Sequence, residues 1–126
     1  MGPLSSPVTL APYQDEHLTV DFETRAVTLD SHPVNLTRKE YALLALLVGN
    51  AGEIVPRNAL LREIWGYGAG IRTRTLDVHV RRVRKKLDGY ADQYIETIFG
   101  IGYRFQPFRM ARPYQGTSEG PMAGVA

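Results

Sequence analysis

Cysteine is absent from the 126 residues, and this absence excludes disulfide frameworks and thiolate zinc sites. The sequence also has no apolar run long enough to span a bilayer, and no charged segment followed by an apolar one that would indicate secretion. The three histidines, His17, His32 and His79, are far apart and lack the spacing of metal ligands. We therefore expect a cytoplasmic protein without a metal site or a cofactor.

Sequence motifs of catalysis are missing as well. We find no nucleophile elbow, no Walker motif, no zinc-protease helix and no convincing pair of carboxylates. The glycines at 100 and 102 do not form a phosphate-binding loop, because no helix follows them. We therefore predict that the chain is not an enzyme.

The length and composition fit one folded domain, with 44% hydrophobic and 22% charged residues. Residues 1–16 contain three prolines and two adjacent serines, and residues 107–126 mix Pro, Gly, Ser and Thr without a period. We interpret these segments as a linker or tail and a flexible C-terminal tail. The domain itself is expected to cover residues 17–106.

Positive charge is concentrated in one short segment. Residues 72–86 hold seven basic residues and one acid, Asp77, whereas the remaining chain holds eight basic and twelve acidic residues. The segment thus carries a net charge of +6 on a body of −4. Such a local field attracts polyanions. Charge alone leaves open the alternative that the segment is the solvated face of a helix.

Alternating apolar residues predict a small antiparallel sheet before the first helix, with strands at 18–22, 26–29 and 34–36. The sequence Thr37-Arg38-Lys39-Glu40 is a capping box, which marks the start of a helix that residues 49–52 should end.

A second helix is expected to open at Pro56 and to end at Gly66, and a third to run from Thr73 or Thr75 to about Leu87. The third helix should bury one apolar stripe, because its apolar residues are spaced by 4, 3 and 4; they are Leu76, Val80, Val83 and Leu87. Strands on both sides of the turn at 100–102 predict a hairpin over residues 94–105.

The third helix carries the functional interpretation. Its side opposite the stripe presents Arg74, Thr75, Val78, Arg81, Arg82 and Lys85. A helix fits the major groove of B-DNA, where Arg can bond guanine twice and Val can contact the methyl group of thymine. The second helix would brace the third, and the hairpin would act as a wing. These features predict double-stranded DNA binding by a winged helix-turn-helix.

Residues 74–87 resemble the recognition helix of the OmpR/PhoB family of response-regulator DNA-binding domains. Three further stretches, at residues 36–41, 60–66 and 100–105, fit this family in the same order, so the resemblance covers about residues 18–106. It implies an α+β winged helix-turn-helix with an N-terminal antiparallel sheet of four strands, three helices and a C-terminal hairpin wing. The fourth strand would lie near residues 52–55 or in the N-terminal region.

The resemblance also implies residue roles. Val78 and Arg82 would read bases, Thr97 would bind a backbone phosphate at the wing, and Thr75 and Lys85 also lie in the DNA-binding set. Phosphate or groove contacts would come from Arg74, His79, Arg81 and Arg84. The loop that contacts RNA polymerase would comprise Tyr67, Gly68, Ala69, Gly70, Ile71 and Arg72.

As a family member, the chain would be the effector domain of a two-component response regulator in phosphorelay signal transduction, binding direct repeats as head-to-tail pairs. No receiver domain precedes residue 18, so we expect a fragment whose further partners are a receiver domain and a cognate histidine kinase.

The sequence departs from the family at three positions or segments. Phe99 stands where an arginine is common, so either the wing contact is weaker or Phe99 packs against the domain. The loop at 68–72 lacks the usual acidic residues, and Pro56 replaces a Ser or Thr cap.

Three alternatives stay open at this point. His79 is either a hydrogen-bonded, buried residue or a phosphate contact. Asp77 is expected to stabilise the N-terminal end of its helix or to pair with Arg81. The alternative function is a protein-interaction module whose basic face binds an acidic partner, and dependence on base sequence would separate it from DNA binding.

Overall fold

Alternating apolar residues place an N-terminal sheet against the core. A computed structural model describes residues 11–66 and 73–108. The sheet has four antiparallel strands in chain order, β1 (Tyr13–Gln14), β2 (Leu18–Asp21), β3 (Ala26–Leu29) and β4 (His32–Pro33). On its inner face Leu18, Val20 and Val27 are 0–4% exposed, as the period of two requires.

The fourth strand of the sheet comes from the N-terminal region, one of the two places that the resemblance allowed. The expected strand at 34–36 is wrong, because β4 lies at His32–Pro33. The turn before it has only two residues, Asp30 and Ser31, and both have positive φ angles of 49° and 68°. This conformation is typical of tight hairpins. Proline is tolerated in β4 because the strand lies at the edge of the sheet.

Asp15 ties both ends of the domain together. Its side chain is buried and accepts five hydrogen bonds, from the hydroxyl groups of Tyr13 and Tyr94 and from the backbone N–H groups of His17, Leu18 and Phe108. The Phe108 ring also lies 6.1 Å from that of Tyr94. The folded domain therefore extends beyond the expected boundaries at 17 and 106, because these contacts place residues 13–16 and 108 in the packed structure.

The capping box that the sequence predicts is confirmed. Helix α1 (Arg38–Gly49) begins after Thr37, whose hydroxyl accepts from the Glu40 N–H at 3.2 Å, while the Thr37 N–H donates to the Glu40 carboxylate at 3.0 Å. A further strand, β5 (Ile54–Pro56), leads into α2 (Arg57–Trp65). Pro56 is the last residue of this strand and the N-cap of α2, not its first helical residue.

Helix α3 (Thr73–Lys86) buries the expected stripe, since each of its four apolar side chains is at most 1% exposed. A turn of 3-10 helix (Asp88–Tyr90) and a short α4 (Ala91–Tyr94), which the sequence did not predict, lead to the hairpin strands β6 (Ile95–Ile98) and β7 (Gly102–Phe105). The α+β winged helix-turn-helix fold is confirmed. No helix within the described residues is long and apolar enough to cross a membrane.

Strand β5 pairs with β7 to form a second sheet in the order β5-β7-β6. Close contact explains Gly102, because a Cβ atom at this position would lie 2.1 Å from the carbonyl oxygen of Val55. The wing is therefore backed by a third strand on its β7 side.

We predict that Asp15→Asn destabilises the fold by about 1–3 kcal/mol at neutral pH, because buried donors lose a charged acceptor. Burial alone would raise the pKa of Asp15, but hydrogen bonds from Tyr13, Leu18 and His17 outweigh it and hold the pKa below its ordinary value. Because the pKa of Asp15 is lower in the folded state, its ionised form stabilises the fold at pH values above the unfolded pKa of about 3.9. This stabilisation is lost as the pH falls through the folded pKa. The difference in unfolding free energy between wild type and variant should therefore shrink in acid.

Urea unfolding between neutral pH and pH 3 checks this prediction. Asp88→Asn, at an exposed turn, is the control. A difference that stays constant with pH would contradict the prediction.

Candidate nucleic-acid interface

The solvent-facing side of α3 is cationic. Because the apolar stripe is buried, the opposite side of the helix presents four exposed basic side chains, Arg74, Arg81, Arg82 and Lys85. None of them has a hydrogen bond or an ion pair with another described residue. We call these four residues the cationic face. Within the part of the chain that the structure describes, their side chains therefore keep all their donors for a ligand.

Two polar residues bond the wing-facing side of α3 to its neighbours. Asp77 accepts hydrogen bonds from Nη2 of Arg57 at 2.9 Å and from the hydroxyl of Tyr103 at 2.6 Å. The bond from Arg57 is the main reason that the pKa of the Asp77 carboxyl is lowered. Asp77 thus joins α2, α3 and β7, and its ion-pair partner is Arg57 rather than the expected Arg81.

Arg84 makes the second connection between α3 and the wing. Its Nη2 donates to the carbonyl oxygen of Ile95 and to the hydroxyl of Thr97, both at 2.7 Å, and its guanidinium carbon lies 5.8 Å from the centre of the Tyr103 ring. The Nε atom is buried and has no hydrogen-bond partner among the described residues. Two of the expected DNA contacts, Arg84 and Thr97, are therefore bonded to each other.

The other side of α3 faces α1 and α2. Lys86 donates to Oε1 of Glu40 at 2.6 Å, and Glu40 is only 2% exposed. Burial would raise the pKa of Glu40, but the bonds from Lys86 and Thr37 lower it overall. Lys86 therefore serves the fold, although the sequence places it in the same basic segment as the cationic face.

His79 lies on this side as well and is half-buried. Its Nδ1 is 2.8 Å from the carbonyl oxygen of Thr75, and its ring meets that of Trp65 edge-on at a centroid distance of 5.0 Å. Because a carbonyl only accepts, Nδ1 carries the proton. The hydrogen-bonded alternative is therefore confirmed for Nδ1 of His79, and a phosphate contact of this residue stays a prediction.

A groove separates α3 from the wing. The expected site residues that line it are Arg74, Val78, Arg81, Arg84 and Thr97. Its other lining residues are Arg57, Asp77, Ile98, Phe99, Gly100 and Tyr103. Arg82 and Lys85 are not among the lining residues, whereas Phe99 contributes to the groove and is 89% exposed. The alternative that Phe99 packs against the domain is therefore wrong.

The sequence analysis did not predict Arg57 and Tyr103 as partners of α3, since both come from other elements. The sequence does contain one indication of the polar wing-facing side of α3. Asp77 and Arg84 are seven residues apart, so both lie on the same side of the helix. The expected polymerase contacts at 67–72, including Arg72 of the basic segment, lie outside the described residues.

Comparison with known proteins decides the family. Residues 31–105 match the family described as "Transcriptional regulatory protein, C terminal". The chain belongs to this family of OmpR/PhoB-type C-terminal domains. A curated relative is the transcriptional regulatory protein HprR of Escherichia coli, which is 44% identical over 89 residues, 70% of this chain and 40% of HprR. The chain spans about two fifths of the length of the curated relatives it matches.

Solved structures of OmpR/PhoB-type proteins share the fold. The DNA-binding domain of Klebsiella pneumoniae RstA, solved in complex with the RstA box, is 33% identical with a TM-score of 0.68, and the match covers 78% of this chain and 99% of that domain. The response regulator DrrB of Thermotoga maritima, an OmpR/PhoB homologue, is 32% identical with a TM-score of 0.70, covering 75% of this chain and 44% of DrrB.

We predict that Asp77→Asn lowers the free energy of unfolding by about 1 kcal/mol, a modest effect because Asp77 and Arg57 both remain partly exposed. Tyr103→Phe should cost about 0.5–1.5 kcal/mol, and the double variant less than the sum, because Asp77→Asn already removes the negative charge that strengthens the hydrogen bond which Tyr103→Phe deletes. Chemical denaturation of the three variants measures this coupling. Full additivity would contradict a shared bond.

Proposed function

We propose that the chain binds double-stranded DNA sequence-specifically, as the effector domain of a bacterial two-component response regulator that controls transcription. The observation that carries this proposal is the cationic face of α3, whose four side chains are exposed opposite a fully buried apolar stripe. A helix with this geometry can enter the major groove while the rest of the domain stays outside.

The position of each side chain suggests its role. Arg82, exposed on the cationic face, would read a base. Val78, which lines the groove between α3 and the wing, would contact a thymine methyl group. The other three members of the cationic face would bind phosphates and set the register of the helix. Thr75 is half-buried, one turn before His79, and would contact DNA from the α2 side of the helix.

Two further contacts depend on internal hydrogen bonds. Thr97 accepts a bond from Arg84 and so keeps its hydroxyl proton to donate to a phosphate. Arg84 would then act on DNA by orienting Thr97. His79 would reach a phosphate only through Nε2, since its Nδ1–H is bonded to the Thr75 carbonyl, and Nε2 would have to carry a proton as well because a phosphate oxygen only accepts.

Similarity to proteins of known partners supports the proposal. The RstA domain, which this chain resembles over most of its length, was solved in complex with the RstA box. HprR and other curated relatives are described as transcriptional regulatory proteins. The fold and the cationic face thus agree with the function that family membership suggests.

We infer further partners from the same resemblance. The domain would act in the cytoplasm without catalysing a reaction, would pair head-to-tail on direct repeats, and would be controlled through a receiver domain and a cognate histidine kinase. The contact of residues 67–72 with RNA polymerase stays a prediction.

The proposed function predicts a short DNA motif. Selection of the purified chain on a random double-stranded DNA pool should enrich such a motif, repeated at about 10–10.5 base pairs if the domains pair on direct repeats. The slope of log K against log [salt] should be about −3 to −6, from about four to seven phosphate contacts. Salt-sensitive binding without an enriched motif would instead favour the alternative, in which the cationic face binds an acidic protein.

We predict that Arg82→Ala weakens binding to the enriched motif by ~1–3 kcal/mol and relaxes the preference at one base pair. Lys86→Ala is the matched control, because it removes the same charge from the same helix but breaks the bond to Glu40. It should lower stability and leave the sequence preference unchanged. Binding to a library of single-base variants and thermal melting distinguish the two, and a uniform loss over all sequences with Arg82→Ala would contradict the base-reading role.

A further inference from the structure

The tip of the wing is apolar and uncharged. The segment from Ile98 to Gly102 contains no charged residue. Phe99 is 89% exposed and Ile101 is 52% exposed, whereas the other large exposed hydrophobic residue of the described part, Ile54, is 40% exposed. A single exposed apolar side chain is ordinary on a protein surface. The exposure of Phe99 alone therefore does not indicate a binding site, and its position at the tip of the wing has to be considered as well.

Backbone contacts hold this tip in one conformation. Gly100 has a φ of 77°, and the Ile101 N–H donates to the Ile98 carbonyl at 2.9 Å, which closes the turn. The Ile101 carbonyl accepts from the Arg57 N–H at the start of α2, also at 2.9 Å. Arg84 fixes the base of the wing through Thr97. Phe99 is thus presented on a braced turn, and ordering it on binding costs little entropy.

The tip continues the surface of the cationic face. Phe99 and Gly100 line the same groove as Arg74 and Arg81. If α3 lies in the major groove, the arginines that line the groove between α3 and the wing would contact phosphates, and the wing tip beside them would face the adjacent minor groove. A tip without charge cannot neutralise a phosphate there. Apolar side chains, in contrast, contact deoxyribose and can wedge between base steps of the minor groove.

We propose that Phe99 is an apolar minor-groove contact, which packs against deoxyribose and base edges beside the site that α3 occupies. This inference rests on the proposed DNA binding. The contact adds affinity that does not depend on salt, because it releases no counterions. It also adds a preference at base pairs that α3 does not reach.

Salt titration separates this contact from an ionic one. The probe is the duplex that the selection enriches most strongly, bound by the complete chain at several salt concentrations. Phe99→Ala should bind about tenfold more weakly at every salt concentration, since part of a phenyl surface is no longer buried. Its salt slope should equal that of the wild type. Phe99→Arg should make the slope steeper by about 0.9, because it adds one phosphate contact.

Replacement of guanine by inosine in the duplex tests whether Phe99 contacts the minor groove. Inosine lacks the amino group that guanine presents in the minor groove, and the major-groove edge is unchanged. At the base pairs under the wing, this replacement should strengthen binding of the wild type by more than that of Phe99→Ala. The same replacement under α3 should affect both proteins equally.

Ile54→Ala is the matched control, since it truncates an exposed apolar residue on β5, which does not line the groove. It should bind like the wild type, and all variants should keep the wild-type melting temperature to within a few degrees. Equal binding by Phe99→Ala and wild type would overturn the inference, and so would a flatter salt slope, because the lost contact would then be ionic. If the wild type binds no duplex at all, the proposed function fails, and the inference about Phe99 fails with it.

Discussion

Burial of the apolar stripe on α3 determines which side of this helix can meet a ligand. Leu76, Val80, Val83 and Leu87 are all at most 1% exposed, and fully burying such a side chain stabilises a fold by about 1.5–3 kcal/mol. Any rotation of α3 about its axis would bring this stripe into water and basic residues into the core. The cationic face therefore points outward because the stripe points inward, and water and salt screen the repulsion among its charges.

Internal hydrogen bonds divide the basic segment into two groups. Lys86 is bonded to Glu40 of α1, and Arg84 is bonded to Thr97 and to a backbone carbonyl, whereas the four residues of the cationic face have no such bond within the described residues. The net charge of the segment therefore overstates the charge that a ligand meets. The internal bonds hold α3 against α1, α2 and the wing, so that the unpaired cations are presented on a rigid frame. Preorganisation of this kind lowers the entropic cost of binding.

Contacts between near neighbours in the chain could be predicted from the sequence, and contacts between distant ones could not. The capping box of Thr37 and the stripe of α3 follow from spacings of three and four residues. Asp15, by contrast, reaches partners 79 and 93 residues away. No periodicity marks such a residue, and the sequence therefore predicts a tail where the structure has β1. The position of β4 depended on the backbone of Asp30 and Ser31, which alternation of apolar residues does not determine.

Similar reasons separate the predicted from the unpredicted parts of the site. The cationic face lies on one helix, so helical spacing was enough to assign it. The exposure of Phe99 depends instead on a turn in which Ile98 pairs with Gly102 and leaves the residues between them outside the sheet. Compared with an arginine at position 99, an aromatic tip makes one phosphate contact fewer. For each tenfold rise in salt concentration, the affinity for DNA therefore falls by a factor that is about eight times smaller. A wing of this kind exchanges electrostatic attraction for contact area, and its contribution to binding persists at ionic strengths that weaken the cationic face.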